Sequence, residues 1–208
     1  MIDLSDYQER QLDRQSTSFS LPQEWNLLEL ASDRQRPSTD RASTAPLSPA
    51  ALRSLIEQNT VRVEANGSLG TGPIVRTESG QKVILTDDHV VGNAAIGSLV
   101  TVRLNGRAYQ TRVIAKDAAN DIAILALPQE LQSLPGIQMA PSGRNHQGRQ
   151  VMTAGFPGGS AGLVITEGRV GGERRAGSAG VIDAPAHQDP NRPLVEAELH
   201  TRRGNSGG

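Results

Sequence analysis

Short apolar runs separated by turn residues dominate the chain from Asn59 onward. Six such runs fall between 60 and 127: TVRVEA, TGPIVRT, KVILT, LVTVRL, AYQTRVIA and DIAILAL. Asn-Gly pairs at 66–67 and 105–106 and a Ser-Gly pair at 79–80 separate several of them. Short strands at regular spacing with turn signals between them are typical of an all-β sandwich or barrel. We therefore predict a first β-barrel over about residues 59–127.

A second group of apolar runs follows a connector rich in proline and glycine at about 128–148. It contains RQVMTAGF, GLVITEGRV, GVIDA and LVEAELH, which are about four strands rather than six. An antiparallel barrel needs closure to remove its exposed edges. We expect a second barrel at about 149–208 that is incomplete at the C-terminus, which could leave this chain inactive.

Two helical segments precede the strands. Residues 1–47 are rich in Gln, Ser, Arg and Asp, and we expect a flexible polar extension in which only LPQEWNLLELA (21–31) forms a short amphipathic helix. A solubilising role is the favoured interpretation of this extension. The domain proper is predicted at 48–208, and it begins with SPAALRSLIEQ, where Ser48 is a suitable cap and Pro49 suits the first helical position.

Composition narrows the classes of function. Aromatic residues make up only 2% of the chain, so a core must come from Val, Ile, Leu and Ala. The absence of cysteine excludes disulfides, thiolate catalysis and cysteine-bound zinc. A net charge of −1 argues against a nucleic-acid partner. No signal peptide and no membrane-spanning segment is visible, which predicts a cytoplasmic location if Met1 is the true start.

Three residues could carry chemistry, although each also has an ordinary interpretation. His89 follows an apolar strand that ends at Thr86, and alone it could be a surface loop histidine. Asp121 opens the run DIAILAL, and alone it would be a turn aspartate. Ser206 lies between glycines in GNSGG, whose amides can form an anion-binding concavity. The three occur in the order His, Asp, Ser, one of the orders known for the catalytic triad.

Several motifs together resemble the HtrA family of trypsin-like serine proteases. The similar segments are GTGPIV (70–75), ILTDDHVV (84–91), NDIAILAL (120–127), TAGFPGG (153–159), VITEGRVGG (164–172) and GNSGG (204–208). They cover roughly residues 50–208 in the family's order. The resemblance implies an all-β fold of two six-stranded antiparallel, chymotrypsin-like barrels and a serine endopeptidase acting on proteins or peptides. It implies no cofactor and no metal, and it leaves the oligomeric state open.

The resemblance also implies a role for each motif residue. Ser206 would be the nucleophile, His89 the general base and Asp121 the residue that orients the imidazole. The backbone amides of Gly204 and Ser206 would form the oxyanion hole. Asn205 stands where zymogens of the pancreatic type have an aspartate. We therefore predict no activation by a freed N-terminal amine, and dependence instead on the loops around 155–160 and 202–205.

The chain departs from the family immediately before the serine motif. The substrate pocket is expected to involve His200, Thr201, Arg202 and Arg203, where the family usually has a neutral Asn-Pro pair before Gly-Asn-Ser. The two arginines could favour acidic substrates, but two solvent-facing side chains are the preferred interpretation. The alternative for the whole domain is a non-catalytic chymotrypsin-like scaffold for binding or regulation. An esterase ranks last, because GNSGG lacks the following helix of a nucleophile elbow.

Overall fold

The computed structural model describes residues 47–139, 146–175, 193–199 and 205–208. The described residues, apart from the short turn Glu78–Gly80, form one compact unit. Three sequence predictions lie outside the described residues: the helix at 21–31, the strand GVIDA at 180–184 and the segment 200–204.

Short strands make up most of the described chain. In chain order the elements are α1 Pro49–Gln58, β1 Thr60–Ala65, β2 Ser68–Arg76, β3 Lys82–Thr86, α2 Asp88–Val91, β4 Leu99–Leu104, β5 Arg107–Asp117, β6 Ile122–Ala126, β7 Ile137–Gln138, β8 Gln150–Gly155, β9 Val164–Arg175 and β10 Pro193–Glu198. Two 3-10 turns lie at Gln129–Leu131 and Pro157–Gly159. The all-β prediction is confirmed in part, because the described chain is mostly β and also contains the two short helices α1 and α2.

Strands β1 to β6 close into an antiparallel barrel. The order around the barrel is β1-β4-β5-β6-β3-β2, and pairing of β2 with β1 completes the circle. Two hairpins of this barrel turn at Asn-Gly pairs. Asn66 and Gly67 have φ of 49° and 83°, and Asn105 and Gly106 have φ of 51° and 79°. Positive φ at both central residues is what a type I′ hairpin turn requires, so the sequence signal and the backbone agree.

The barrel interior contains aliphatic side chains, as the composition predicts. Val61 and Val63 on β1 point inward and are fully buried, consistent with the period of two along a strand. The buried cluster consists of Val61, Val63, Ala65, Ile74, Ile84, Val90, Val91, Ala94, Val100, Val102, Leu104, Val113, Ala123, Leu125, Leu127 and Leu131. Removing each large side chain from water contributes about 1.5–3 kcal/mol.

Helix α1 begins as its sequence predicts. The Ser48 side chain accepts a hydrogen bond from the Ala51 amide at 3.2 Å, and proline occupies the start of the helix. Ile56 is the residue that α1 buries. Among the described residues, no helix is both long enough and apolar enough to cross a membrane.

Outside the barrel, the structure describes one further sheet and one unpredicted strand. The two-residue β7 pairs in parallel with the end of β2, through Val75↔Ile137 and Arg76↔Gln138. Strands β8, β9 and β10 form an antiparallel sheet in the order β10-β9-β8. Three of the four strands predicted for the second half are therefore present, but within the described residues they form an open sheet. A second six-stranded barrel stays a prediction.

Candidate active site

His89 lies on a one-turn helix that follows the last residue of β3. The sequence left a surface loop open as the position of this histidine, and the structure has the short helix α2 instead. Val90 and Val91 are buried in the barrel cluster, while the His89 side chain is 54% exposed. The two valines anchor the turn in the core, so the imidazole is held at the surface on a firmly packed segment.

Asp121 binds His89 with both carboxylate oxygens. Its Oδ1 accepts the backbone amide of His89 at 2.9 Å, and its Oδ2 lies 2.8 Å from the ring Nδ1. An ionised carboxylate can only accept, so the ring contact requires the proton on Nδ1. The other ring nitrogen, Nε2, is then free to accept a proton. The Asp121 side chain is only 18% exposed, which strengthens the interaction with the ring.

The conformation of Asp121 is unusual for a residue with a side chain. Its φ is 55°, in the left-handed region, and it immediately precedes β6. This region costs most L-residues about 1–2 kcal/mol, and aspartate is one of the residues that visit it most readily. Asp121 therefore adopts a strained backbone conformation in which its carboxylate is directed toward His89.

Ser206 lies at the second position of a tight turn. The amide of Gly208 donates to the Asn205 carbonyl at 2.9 Å, and Gly207 has a φ of 83°. A β-turn with positive φ at its third residue requires glycine there. Space imposes the same choice, because a Cβ on Gly207 would lie 2.2 Å from the Thr71 carbonyl oxygen.

Thr71 on β2 connects the serine turn to two other elements. Its amide donates to the Ser206 carbonyl at 2.8 Å, and its hydroxyl accepts the Phe156 amide at 3.3 Å. Its carbonyl accepts the hydroxyl of Thr86, the last residue of β3, at 2.8 Å. Sequence reasoning recognised GTGPIV as a motif but missed the role of its fully buried threonine. The only available signal was a polar side chain within a glycine-rich apolar strand.

Gly70 is the point where the histidine and serine segments meet. A Cβ built on Gly70 would lie 2.5 Å from the Val90 side chain and 3.1 Å from the Ser206 carbonyl oxygen. Val90 directly follows His89. The structure thus places Asp121 on His89 by hydrogen bonds, and it packs the neighbour of His89 and the serine turn against the same glycine.

The remaining predicted site residues are outside the described ranges. Gly204, His200, Thr201, Arg202 and Arg203 belong to this group. The oxyanion hole and substrate pocket therefore stay predictions. Asn205 is described, and a Cβ on Gly155 would lie 2.6 Å from its Oδ1. Within the described residues this buried oxygen accepts no hydrogen bond.

A network of charged side chains connects the barrel to the turn after β8. Glu64 on β1 accepts hydrogen bonds from Arg62 and from Arg103 on β4, the latter at 2.8 Å. Burial raises the pKa of Glu64, but the hydrogen bonds and charges of the two arginines outweigh it, so the pKa falls below its ordinary value. Arg62 also donates to the carbonyls of Gly159 and Ser160 at 3.3 and 3.2 Å.

One group of described side chains has the composition of a metal site. The ligand atoms of Asp87, His89 and Asp121 lie within 4.8 Å of one another. Asp121 already accepts a hydrogen bond from Nδ1 of the His89 ring. Asp87 Oδ2 is 3.9 Å from the same nitrogen. The hydrogen-bonded His–Asp pair accounts for this arrangement without an ion.

The sequence profile described as a trypsin-like peptidase domain matches residues 70–208. The chain therefore belongs to the trypsin-like peptidase family. It is 32% identical over 142 residues to a probable serine protease do-like of Buchnera aphidicola subsp. Acyrthosiphon pisum, covering 68% of this chain and 27% of that protein. It is 30% identical, over the same shares, to a probable periplasmic serine endoprotease DegP-like of Buchnera aphidicola subsp. Schizaphis graminum. The chain spans about a quarter of the length of these relatives.

Solved structures share the fold. The inactive form of the Rv3671c protease, a protein of M. tuberculosis, superimposes with a TM-score of 0.59 at 24% identity, covering 79% of each chain. The HtrA-type protease AlgW with a tripeptide gives a TM-score of 0.61 at 23% identity, covering 78% of this chain and 50% of that one. The names of these relatives and of this structure agree with the HtrA resemblance of the sequence motifs.

Proposed function

We propose that this chain is the peptidase domain of a serine endopeptidase that hydrolyses peptide bonds in protein substrates. Ser206 is the nucleophile, His89 the general base and Asp121 the orienting acid. The observation that carries this proposal is the two-point hydrogen bond of the Asp121 carboxylate to His89. A carboxylate bound to both Nδ1–H and the backbone amide fixes the ring position and its tautomer at once.

The reaction proceeds through an acyl-enzyme. Ser206 Oγ attacks the scissile carbonyl carbon while its proton passes to Nε2 of His89, and the carbonyl oxygen becomes an oxyanion. The amides of Gly204 and Ser206 stabilise this charge, and loss of one such donor costs about 2.7–4 kcal/mol. The C–N bond then breaks, and the imidazolium gives its proton to the leaving amine. Water repeats the sequence on the ester and restores Ser206.

Protein and peptide substrates are proposed from the relatives. Two are named serine protease or endoprotease, and the AlgW structure carries a tripeptide. We propose that His200, Thr201, Arg202 and Arg203 contribute to the pocket, with both arginines facing solvent. Cleavage profiling on a peptide library tests this arrangement. A preference for small apolar residues agrees with it, and a preference for acidic residues contradicts it.

The three-stranded sheet β8–β10 is proposed to be part of a second six-stranded antiparallel barrel. The shared fold over 79% of the Rv3671c protease supports this assignment. A cytoplasmic location stays a prediction, and the word periplasmic in the names of two relatives does not fit it well. Fractionation of the source cells, followed by immunoblotting for this chain, distinguishes the two compartments.

Labelling with a fluorophosphonate tests the function without knowledge of the substrate. We expect covalent labelling of the folded protein at Ser206, absent in Ser206→Ala and strongly reduced in His89→Ala, because only an activated serine attacks phosphorus rapidly. Replacement of the exposed Ser79 by Ala serves as a control that should leave labelling unchanged. A folded full-length protein that is not labelled would support the non-catalytic scaffold instead.

A further inference from the structure

The ammonium of Lys116 contacts three oxygen atoms in and directly after the helix that carries His89. Its nitrogen is 2.5 Å from the Gly92 carbonyl, 3.3 Å from the Ala94 carbonyl and 3.1 Å from Asp88 Oδ1. Lys116 is on β5, and its side chain is only 19% exposed. A strand on the barrel wall thus contacts the segment 88–94 at three points.

The choice of lysine at this position is informative. The chain has 21 lysines and arginines, but only Lys82 and Lys116 are lysines. An ammonium has three donors arranged around a compact charge, which suits a site of three converging oxygens. A guanidinium instead presents its donors in one plane, in a geometry that matches a carboxylate approached side-on. Lys116 therefore matches its three acceptors in number and in shape.

The three acceptors belong to residues on both sides of His89 in the sequence. Asp88 is the first residue of α2 and precedes His89, whereas Gly92 directly follows the last residue of α2. A helix of a single turn leaves most of its carbonyls without helical partners, so it depends on outside donors for its position. Among the described residues, Asp88 Oδ1 is buried and accepts no hydrogen bond of normal geometry. The ammonium at 3.1 Å is thus its charge partner.

The next residue of the same strand supports the aspartate. Asp117 ends β5, and its carboxylate accepts the backbone amide of Asn120 at 3.1 Å and the Asn120 side chain at 2.7 Å. Asn120 precedes Asp121, whose left-handed backbone aims the carboxylate at His89. A side chain that satisfies backbone donors within a turn fixes the path of that turn.

We propose that Lys116 and Asp117 are positioning residues: from the end of β5 they fix the positions of the two partners in the His89–Asp121 pair. Lys116 fixes the helix of His89, and Asp117 fixes the turn of Asp121. This inference rests on the proposed function for its catalytic meaning. The geometric part concerns only the hydrogen bond between His89 and Asp121, so it can be tested separately from catalysis.

The test compares Lys116→Met with Lys82→Met in the full chain. Lys82 is the matched control, because its ammonium also binds two backbone carbonyls, those of Gln132 and Leu134 at 2.5 and 2.7 Å. It lies at the opposite end of β3 from Thr86. Two quantities are measured: the second-order rate of fluorophosphonate labelling at Ser206, and the proton NMR signal of His89 Nδ1–H in protein labelled with ¹⁵N-histidine. The His89→Gln variant assigns that signal.

We expect Lys116→Met to lower the labelling rate roughly 10- to 100-fold, since displacement of a reacting group by about 1 Å costs that much. The Nδ1–H signal should weaken or disappear through exchange with water. Lys82→Met should leave both quantities within about twofold of the unchanged protein, because the same type of contact is lost away from the His–Asp pair.

Three results would overturn the inference or separate it from the proposed function. A folded Lys116→Met variant that retains both the rate and the Nδ1–H signal contradicts it, and so does an equal loss in Lys82→Met. If Lys116→Met does not fold, Asp88→Asn combined with Lys116→Met removes the unpaired carboxylate and repeats the test. If the unchanged protein is not labelled at Ser206, the proposed function fails, and the NMR signal alone decides the positioning inference.

Discussion

Asp121 performs two tasks with one side chain. Its Oδ2 fixes the imidazole of His89, and its Oδ1 fixes the backbone of His89 by accepting a hydrogen bond from the His89 amide. The ring therefore cannot turn or shift independently of the helix that carries it. The order of motifs in the sequence predicted the pair, but neither the second hydrogen bond nor the left-handed backbone could be predicted. Both depend on the exact geometry of the turn before β6.

Replacement of Asp121 by asparagine separates position from charge. Asparagine tolerates a φ near 55°, so the backbone should persist. Its amide presents only one acceptor oxygen, so either the ring or the His89 amide loses its acceptor, and the imidazole adopts the wrong tautomer. We expect about 10⁴-fold slower fluorophosphonate labelling of Ser206 with little change in unfolding temperature. Labelling kinetics and thermal denaturation measure these two effects.

Asp87→Asn is the matched control for that experiment. Asp87 Oδ2 lies 3.9 Å from His89 Nδ1, which is too far for a direct hydrogen bond. A much smaller loss of rate is expected for this change. Equal losses in the two variants would mean that the net negative charge near the ring matters, rather than the directed hydrogen bonds of Asp121.

At the scale of elements, a charged network joins β1, β4 and the turn Pro157–Gly159. Arg62 and Arg103 are opposite each other in the register of β1 and β4. Two like charges in this position repel each other, and Glu64 lies where it can neutralise both. Arg62 also donates to the carbonyls of Gly159 and Ser160. The same side chain therefore links strand β1 to the turn at Pro157–Gly159.

Glu64→Gln tests this network through its dependence on pH. The pKa of Glu64 is lowered from the ordinary value of 4.5, so its stabilising effect is complete above that pH and is lost as the pH falls through the lowered pKa. We expect Glu64→Gln to lower the free energy of unfolding by about 1 kcal/mol at neutral pH. The difference between the two proteins should narrow below pH 4.5.

Urea titrations at pH 7 and below pH 4.5 measure this difference. Glu57→Gln, which changes an exposed glutamate on α1, is the control and should behave like the unchanged protein at every pH. A gap between Glu64→Gln and the unchanged protein that stays constant, or widens on acidification, would contradict the role given to the ion pairs.

The elements of the barrel could be predicted because local signals agree with the tertiary structure. Each strand has an apolar run of its own, and the Asn-Gly turns specify two of the hairpins. Strand β7 could not be predicted, because two residues carry no periodicity and pair only where β2 already exists. The helix α2 was missed for a similar reason: four residues are too few to show a helical period, and buried valines rather than propensity hold them.

At the scale of the whole molecule, burial is distributed unevenly. The aliphatic cluster belongs mainly to β1–β6, whereas β8–β10 and the adjoining turn contribute only Ala154, Phe156 and Val170 to the buried apolar residues described. Val195 on β10 is 59% exposed. Local stability follows the density of buried apolar contacts. The barrel should therefore be the most stable part of the described fold.

Hydrogen–deuterium exchange followed by mass spectrometry measures this difference directly. We expect peptides from β1, β4, β5 and β6 to exchange most slowly, and peptides containing β10 to exchange faster by orders of magnitude, because opening β10 exposes little apolar surface. Comparable protection in β10 and in the barrel would show that contacts beyond the described residues stabilise the sheet as strongly as the core stabilises the barrel.

Gly70 sets a limit on how position 70 can vary. Carbon atoms in contact ordinarily lie about 3.5–4.0 Å apart, whereas a methyl group at this position would be 2.5 Å from Val90. Even alanine would act as a wedge and would displace the neighbouring segment by about 1 Å. Proton transfer between an imidazole and a hydroxyl needs heavy atoms within about 2.6–3.2 Å. The smallest chiral residue would thus suffice to uncouple the proposed base from the proposed nucleophile while leaving both side chains chemically intact.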